Sequence, residues 1–288
     1  AWEEMHKMPG NSGALELPWL AALSDPATYP HPVGEIRLVE THLSVVALTG
    51  EYAYKLKKPV DYGFVDFSTL DLRRKYCETE LKLNRRTAAE IYLDVVPLVR
   101  TVAGWRFGAP GPVLEYALRM REFPSEDRLD RVAERGELSH AHLEVLARRV
   151  ADLHEGARDA DGARDADGAR DADGARDADG ARDADGARDA DEGLVESYPR
   201  RLNHAISDNF RLLPDTAVER ELRRSFAARF AQCQDLLEKR ARNGRVRDVH
   251  GDLHPANICL WMGEPVPFDC LEFNANLRWI DVMSEIAF

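Results

Sequence analysis

The densest group of chemically capable side chains is the segment His250-Gly251-Asp252-Leu253-His254-Pro255-Ala256-Asn257. It lies between two apolar runs and contains glycine and proline, which predicts a loop. Asp269 lies further along the chain, directly after the apolar run that ends at Phe268. Carboxylate and amide oxygens so placed can accept a proton from a hydroxyl group and hold magnesium on phosphate groups. The pattern, with its Asp-x4-Asn spacing, indicates phosphoryl transfer from a nucleotide.

That chemistry also needs a lysine to hold the phosphate groups. Residues 51–58 alternate as a strand does, with Lys55 and Lys57 on the same face. Residues 68–91 predict a helix, and Glu80 falls in the middle of its inward stripe. A carboxylate that faces a core is unfavourable unless a cation meets it. We therefore expect Glu80 to pair with a lysine of the preceding strand.

The elements that must position these groups occur in two blocks. Up to residue 118 the pattern predicts strands with one helix, and after it mostly helices with a short group of strands. This order predicts an α+β fold with a β-rich lobe over residues 35–118, a helical lobe over 119–288 and a cleft between them. Residues 1–34 form a proline-rich N-terminal extension.

Residues 156–191 are six tandem copies of Gly-Ala-Arg-Asp-Ala-Asp. The repeat has no apolar side chain larger than alanine, so we expect a disordered, low-complexity insertion into the second lobe. An aspartate-rich calcium site is the alternative, but the arginine in each copy opposes cation binding. One arginine and two aspartates per copy make the repeat responsible for half of the formal net charge of −12.

Composition excludes several classes of protein. The chain has 288 residues, of which 44% are hydrophobic, enough for one or two folded domains. No apolar run of about 18 residues occurs, so we expect no membrane span. The acidic balance argues against nucleic acid as a partner. Four cysteines without a Cys-x-x-Cys pair favour a reducing, cytoplasmic setting.

The loop sequence HGDLHPAN resembles the catalytic loop of the aminoglycoside phosphotransferase and choline kinase superfamily, which has a protein-kinase-like fold. The segment WIDVMSEIAF at 279–288 resembles the part of that family that follows its metal-binding aspartate. The stretch YKLKKPVDYGFVDFSTLDLRRKYCETELKLNRR resembles one subgroup more closely, the bacterial proteins that join such a domain to a P-loop ATPase domain. The resemblance covers about residues 17–155 and 194–288.

The resemblance implies a role for each matching position. It implies that Asp252 is the catalytic base and that Asn257 and Asp269 are magnesium ligands. Lys55 would be the phosphate-binding lysine, with Lys57 as the reserve candidate, and Glu80 the glutamate of the lobe-coupling helix. His250 and Asp281 would support the catalytic loop, and Tyr116 and Ala117 would belong to the interlobe strand against adenine. It also implies ATP and Mg2+ as cofactors and a hydroxyl group of a small molecule as acceptor.

Two features depart from that family. The strand pair ETHLSVVALTG lacks a glycine-rich phosphate loop. The chain also stops at Phe288 within an apolar helical pattern, so we expect a fragment whose helical lobe is incomplete. The resemblance to that subgroup implies that a fused P-loop ATPase domain follows, and no GxxxxGK[ST] motif occurs in residues 1–288.

Three other interpretations stay open. A non-catalytic nucleotide-binding module that regulates an attached ATPase would keep most of the same residues. A metallophosphatase would share the His-Gly-Asp-Leu-His sequence but needs further His, Asp and Asn clusters for two metals. His250 and His254 have the spacing of a helical metal pair, but Gly251 and Pro255 oppose a helix there.

Overall fold

A computed structural model describes residues 17–157, 193–211 and 213–287. Residues 158–191 of the repeat, on which the predictions of disorder and of a calcium site fall, lie outside the described residues. The chain divides into two compact units, one from residues 1–149 and 254–274 and the other from 150–253 and 275–288.

The described ranges contain the following elements. The strands are β1 (Arg37–Glu40), β2 (Ser44–Leu48), β3 (Tyr52–Lys57), β4 (Tyr92–Thr101), β5 (Gly104–Phe107), β6 (Val113–Arg121), β7 (Val246–Asp248), β8 (Ile258–Trp261), β9 (Glu264–Pro267) and β10 (Trp279–Asp281). The helices are α1 (Leu70–Ala88), α2 (Leu129–Glu134), α3 (His140–Gly156), α4 (Tyr198–Arg211), α5 (Ala217–Arg242), α6 (Ala275–Arg278) and α7 (Val282–Ala287). The mixture of an antiparallel sheet with helices confirms the α+β prediction.

The first unit is built on a six-stranded antiparallel sheet in the order β1-β2-β3-β6-β4-β5. One face of it carries a core cluster that includes Tyr54 and Leu56 of β3. The N-terminal extension covers this face, because Trp19, Leu23 and Tyr29 belong to the same cluster. The apolar residues of this extension are thus part of the core.

Helix α1 begins at an N-cap, where the Thr69 hydroxyl accepts a hydrogen bond from the Leu72 N–H at 3.2 Å. Its buried stripe contains Glu80, as the sequence predicts, and also Arg73. The Arg73 guanidinium donates to both carboxylate oxygens of the buried Glu115 at 2.9 and 2.8 Å. This pair fastens the start of α1 to β6, so the helix that carries Glu80 is anchored to the central sheet.

The β8–β9 hairpin belongs to the first unit, although the sequence places it in the helical lobe. Its residues Cys259 and Val266, with Phe268 just beyond, pack in one cluster with Tyr92 and Leu118 of the sheet. This apolar contact explains why the hairpin groups with the first unit, because burial of apolar side chains stabilises the packing of a hairpin against a sheet.

The second unit is mainly helical. Its core joins Val195, Tyr198 of α4, Ala241 of α5 and Trp279 of β10. Strand β10 pairs antiparallel with β7 in a two-stranded sheet. The long helix α5 begins where the Thr216 hydroxyl accepts from the Glu219 N–H at 3.0 Å. The loop that contains His250 and Asp252 follows β7 within this unit.

Candidate functional site

Strand β3 presents its two lysines to one face of the sheet. Its alternate residues lie in the core cluster on the other face, as the period-two pattern predicts. The Lys55 ammonium donates to Glu80 Oε1 at 2.7 Å and to Asp269 Oδ1 at 2.6 Å. The structure therefore brings together three predicted site residues that are far apart in sequence, Lys55, Glu80 and Asp269.

Asp269 has an unusual backbone. Its φ of 60° lies in the left-handed region, which non-glycine residues seldom adopt. The Asp269 N–H donates to the Tyr92 hydroxyl at 3.0 Å, and the next N–H, of Cys270, donates to Asn84 Oδ1 at 2.8 Å. Such conformations persist where surrounding contacts impose them, and they concentrate at functional sites. Asn84 and Tyr92 hold this turn, and the sequence interpretation had missed this role for both.

Asn257 lies in the same unit, in a short 3-10 turn before β8, and is almost fully buried. Its carbonyl oxygen accepts a hydrogen bond from the Phe268 N–H at 2.9 Å. Because Phe268 immediately precedes Asp269, this bond places the two predicted magnesium ligands on neighbouring backbone segments. The structure thus brings Asn257 and Asp269 together, as the sequence predicts.

The donor set fits magnesium bound with a nucleotide. In the part of the chain that the structure describes, no group of three or more His, Cys, Asp or Glu side chains could hold a metal ion alone. Magnesium in phosphoryl-transfer sites is held by one or two side chains and completes its shell with phosphate oxygens and water. One carboxylate at Asp269 and one amide at Asn257 meet that need.

Lys57 lies deeper than Lys55. Its ammonium donates to Glu80 Oε2 at 2.6 Å and to Glu272 Oε1, and it sits 4.8 Å from the centroid of the Phe67 ring. The sequence interpretation had missed Glu272. A signal for it existed, because two inward lysines need more than the single carboxylate of Glu80.

The charges of this cluster reinforce one another. Burial lowers the pKa of Lys55, but the carboxylates of Asp269 and Glu80 outweigh it and raise the pKa well above its usual value. Lys57 behaves in the same way, with Glu272 and Glu80 raising its pKa. Burial raises the pKa of the Glu272 carboxyl. Both lysines are therefore cationic at neutral pH and face three carboxylates.

Tyr116 and Ala117 lie within β6, in the middle of the sheet. Ala117 is fully buried in the cluster on the far face, and its backbone is paired with Leu56 on one side and Val96 on the other. Tyr116 is partly exposed, with the Arg74 guanidinium 5.4 Å from its ring centroid. The Ala117 side chain therefore lies on the sheet face opposite to that of Lys55, and the assignment of this strand to adenine stays a prediction.

His250, Gly251 and Asp252 follow β7 in the second unit. His250 is buried and Asp252 is partly exposed. Gly251 has a φ of 83°, and a Cβ atom there would lie 2.9 Å from Arg278 Cγ and 3.1 Å from the Leu277 carbonyl oxygen. The loop conformation before Asp252 therefore requires glycine at this position.

Asp281 does not support this loop, contrary to the prediction. Its carboxylate binds the Arg240 guanidinium at 2.5 and 2.7 Å and accepts from the Met283 N–H at 2.9 Å. The predicted role falls instead to Glu285, one helical turn later. Glu285 Oε1 accepts from the Gly251 N–H at 2.7 Å, and Oε2 lies 2.7 Å from His154 Nε2.

Replacing Glu285 by glutamine is expected to loosen the loop, because the charge-assisted bond to the Gly251 N–H and the contact with His154 both weaken. Amide hydrogen exchange at Gly251 and Asp252 should become about tenfold faster, which corresponds to the loss of about 1.4 kcal/mol of local stability. Glu221→Gln, which changes an exposed carboxylate of α5 paired with Arg224, is the matched control. Unchanged exchange in Glu285→Gln would contradict the capping role.

The described residues include no helix with the length and apolar character needed to cross a membrane. No family model and no solved structure matches the chain. It is similar to the uncharacterized protein Rv2004c of Mycobacterium tuberculosis strain H37Rv and the uncharacterized protein Mb2027c of Mycobacterium bovis, each 31% identical over 265 residues. The match covers 90% of this chain and 46% of each relative, so the chain spans about half the length of the curated relatives it matches.

Proposed function

We propose that the chain is an ATP- and Mg2+-dependent phosphotransferase that transfers the γ-phosphate to a hydroxyl group of a small molecule. One observation carries the proposal: the Lys55 ammonium bridges the carboxylates of Glu80 and Asp269 at 2.7 and 2.6 Å. A lysine held by a helix glutamate next to a metal-binding aspartate is the arrangement that phosphoryl transfer from ATP uses. Asn257, beside Asp269, adds the second magnesium ligand.

The architecture supports a protein-kinase-like fold for this proposal. An antiparallel sheet carries Lys55, and a helix packed on that sheet carries Glu80. The mainly helical second unit contains the HGD sequence. In this interpretation the first unit corresponds to the β-rich lobe and the second unit to the helical lobe.

The residues divide the work of the reaction. The Lys55 ammonium, oriented by Glu80, binds oxygens of the triphosphate and stabilises their negative charge. Magnesium, when bound by Asn257 and Asp269, would neutralise charge on the β- and γ-phosphates. Asp252 accepts the proton of the acceptor hydroxyl while the oxygen of that hydroxyl forms a bond to the γ-phosphorus. The bond from that phosphorus to the β–γ bridging oxygen breaks, which yields ADP and a phosphate ester.

Asp252 is assigned by its place in the sequence, five residues before Asn257. Its partial exposure agrees with a group that must reach an acceptor. His250, two residues earlier, is buried and would brace the loop, and Glu285 accepts a hydrogen bond from the Gly251 N–H between them.

The cellular setting belongs to the same proposal. We infer a cytoplasmic protein, because ATP is available there and Cys77, Cys233, Cys259 and Cys270 form no disulfide bond in the part of the chain that the structure describes. We also infer that longer proteins of this type carry a further domain, since the match covers 46% of each curated relative, and the resemblance to the P-loop ATPase subgroup makes a P-loop ATPase domain the candidate.

A non-catalytic nucleotide-binding module is the second candidate, and the β1–β2 connection favours it. This connection is a tight turn in which the Ser44 N–H donates to the Thr41 hydroxyl at 3.0 Å and the Thr41 N–H donates to the Ser44 carbonyl at 2.8 Å. It contains no glycine. A turn of this kind offers fewer backbone N–H groups to phosphates than a glycine-rich loop does.

Phosphate transfer to an acceptor distinguishes the two candidates. The chain is incubated with Mg·ATP and separate panels of amino sugars, choline-like alcohols and nucleosides, and ADP release and phosphorylated product are measured. We expect one panel to give acceptor-dependent ADP release with an equal amount of phosphate ester. Binding of Mg·ATP without transfer to any acceptor would favour the regulatory module.

A further inference from the structure

Glu80 is shared between two lysines, one through each carboxylate oxygen. Oε1 meets Lys55 at 2.7 Å, and Oε2 meets Lys57 at 2.6 Å. Each lysine then reaches one acid of the segment that follows β9: Lys55 binds Asp269, and Lys57 binds Glu272. The segment 269–272 is therefore tied to α1 by two parallel bridges that begin at the same glutamate.

The two bridges differ in their access to solvent. The Lys55 and Asp269 side chains are 15% and 24% exposed, whereas those of Lys57 and Glu272 are 1% and 8% exposed. Lys57 also lies against the Phe67 ring. A phosphate group can thus approach Lys55 but not the sealed ammonium of Lys57, so Lys57 is not a reserve phosphate ligand.

Nucleotide binding, as proposed above, acts on only one of these bridges. Lys55 would turn to phosphate oxygens and Asp269 to magnesium, so their mutual ion pair would be exchanged for bonds to the ligand. The Lys57–Glu272 bridge contains neither group. It can hold the segment against α1 while the outer bridge is exchanged.

We propose that Lys57 and Glu272 are positioning residues that keep Asp269 in place for metal binding. The inference rests on the proposed function. Glu272 lies three residues after Asp269, and the Cys270 N–H between them is held by Asn84. With Glu272 fastened, the left-handed turn at Asp269 stays aimed at Lys55 when the ion pair between them is broken. Without the Lys57–Glu272 ion pair, part of the free energy of Mg·ATP binding would be consumed in ordering Asp269.

The test is Glu272→Gln in the full chain, with Glu264→Gln as the matched control. Glu264 is an exposed carboxylate at the start of β9, in the hairpin that precedes the segment 269–272, and is paired with Arg149. The measured quantities are the ATP dissociation constant with and without Mg2+ and the hydrogen exchange of the Cys270 amide. Substitution of a residue that orients a metal ligand typically weakens metal binding about 10- to 100-fold.

We expect Glu272→Gln to weaken Mg·ATP binding about tenfold and to leave Mg2+-free ATP binding within about twofold. The Cys270 amide should exchange faster, and Glu264→Gln should change none of these quantities. Glu272→Asp keeps the charge on a shorter side chain, so it supplies a folded variant if Glu272→Gln unfolds, and its effect should be smaller in the same direction.

Equal weakening with and without Mg2+, or no change in either, would overturn the positioning role while leaving the proposed function intact. A wild-type chain that bound no ATP under either condition would reject the proposed function and this inference together.

Discussion

Replacing Asp252 by asparagine is expected to lower the rate of phosphate transfer about 10³-fold, because the amide cannot accept the proton of the acceptor hydroxyl. The affinity for Mg·ATP should stay within about twofold, since the proposal assigns Asp252 to the acceptor and not to the nucleotide. Steady-state turnover with the acceptor found by the panel assay, together with a nucleotide titration, measures both quantities.

Asp215→Asn is the matched control for this substitution. Asp215 is an exposed carboxylate of the same unit, paired with Arg220, and its loss should change neither turnover nor binding. If Asp252→Asn kept the wild-type rate, Asp252 would not be the base, and the HGD sequence would have to serve another purpose.

The second large effect is expected for Asp269→Asn. Asparagine tolerates the left-handed backbone better than most residues, so this change removes the charge while keeping the turn with a φ of 60°. Loss of the carboxylate should weaken Mg·ATP binding at least about 100-fold. Binding of ATP without Mg2+ should weaken far less, because Lys55 keeps its contact with Glu80.

Asp94→Asn provides the control for Asp269→Asn. Asp94 is a partly exposed carboxylate of β4 that binds Arg119 at 2.8 and 2.6 Å, in the same unit but in a different ion pair. Nucleotide affinity should be unchanged in it. If Asp269→Asn bound Mg·ATP as tightly as the wild type, the metal would have to be held elsewhere.

Local sequence patterns were enough to predict much of the first unit. The alternation in β3 placed Lys55 and Lys57 on one face, and the helical period of α1 placed Glu80 in its buried stripe. A buried carboxylate next to inward lysines has few alternatives to an ion pair, so the pairing itself could be predicted. The structure confirms it with distances of 2.7 and 2.6 Å.

Partners set by tertiary packing could not be predicted in the same way. Arg73 carries a charge that sequence patterns assign to solvent, yet it is buried because Glu115 meets it on β6. Glu272 and Glu285 each lie a few residues after an aspartate, Asp269 or Asp281, that the sequence analysis assigned to the site. The local sequence does not distinguish such neighbouring acids. Which of them makes the contact depends on the direction in which the turn or helix orients each side chain.

The grouping of the β8–β9 hairpin shows a related limit of sequence patterns. Its strands were predicted correctly, but their assignment to the helical lobe followed chain order alone. The contact of Cys259 and Val266 with Tyr92 joins the hairpin to the sheet instead. This contact is also what brings Asn257 and Asp269 into the unit that contains Lys55.

We propose that Lys55, Glu80, Asn257 and Asp269 form one site for a nucleotide with magnesium. It is tested most directly by titrating the wild-type chain with ATP, in the presence and absence of Mg2+, and measuring binding by calorimetry. We expect saturable binding of one ATP per chain that is tighter with Mg2+ than without it. Absence of ATP binding under both conditions would contradict it.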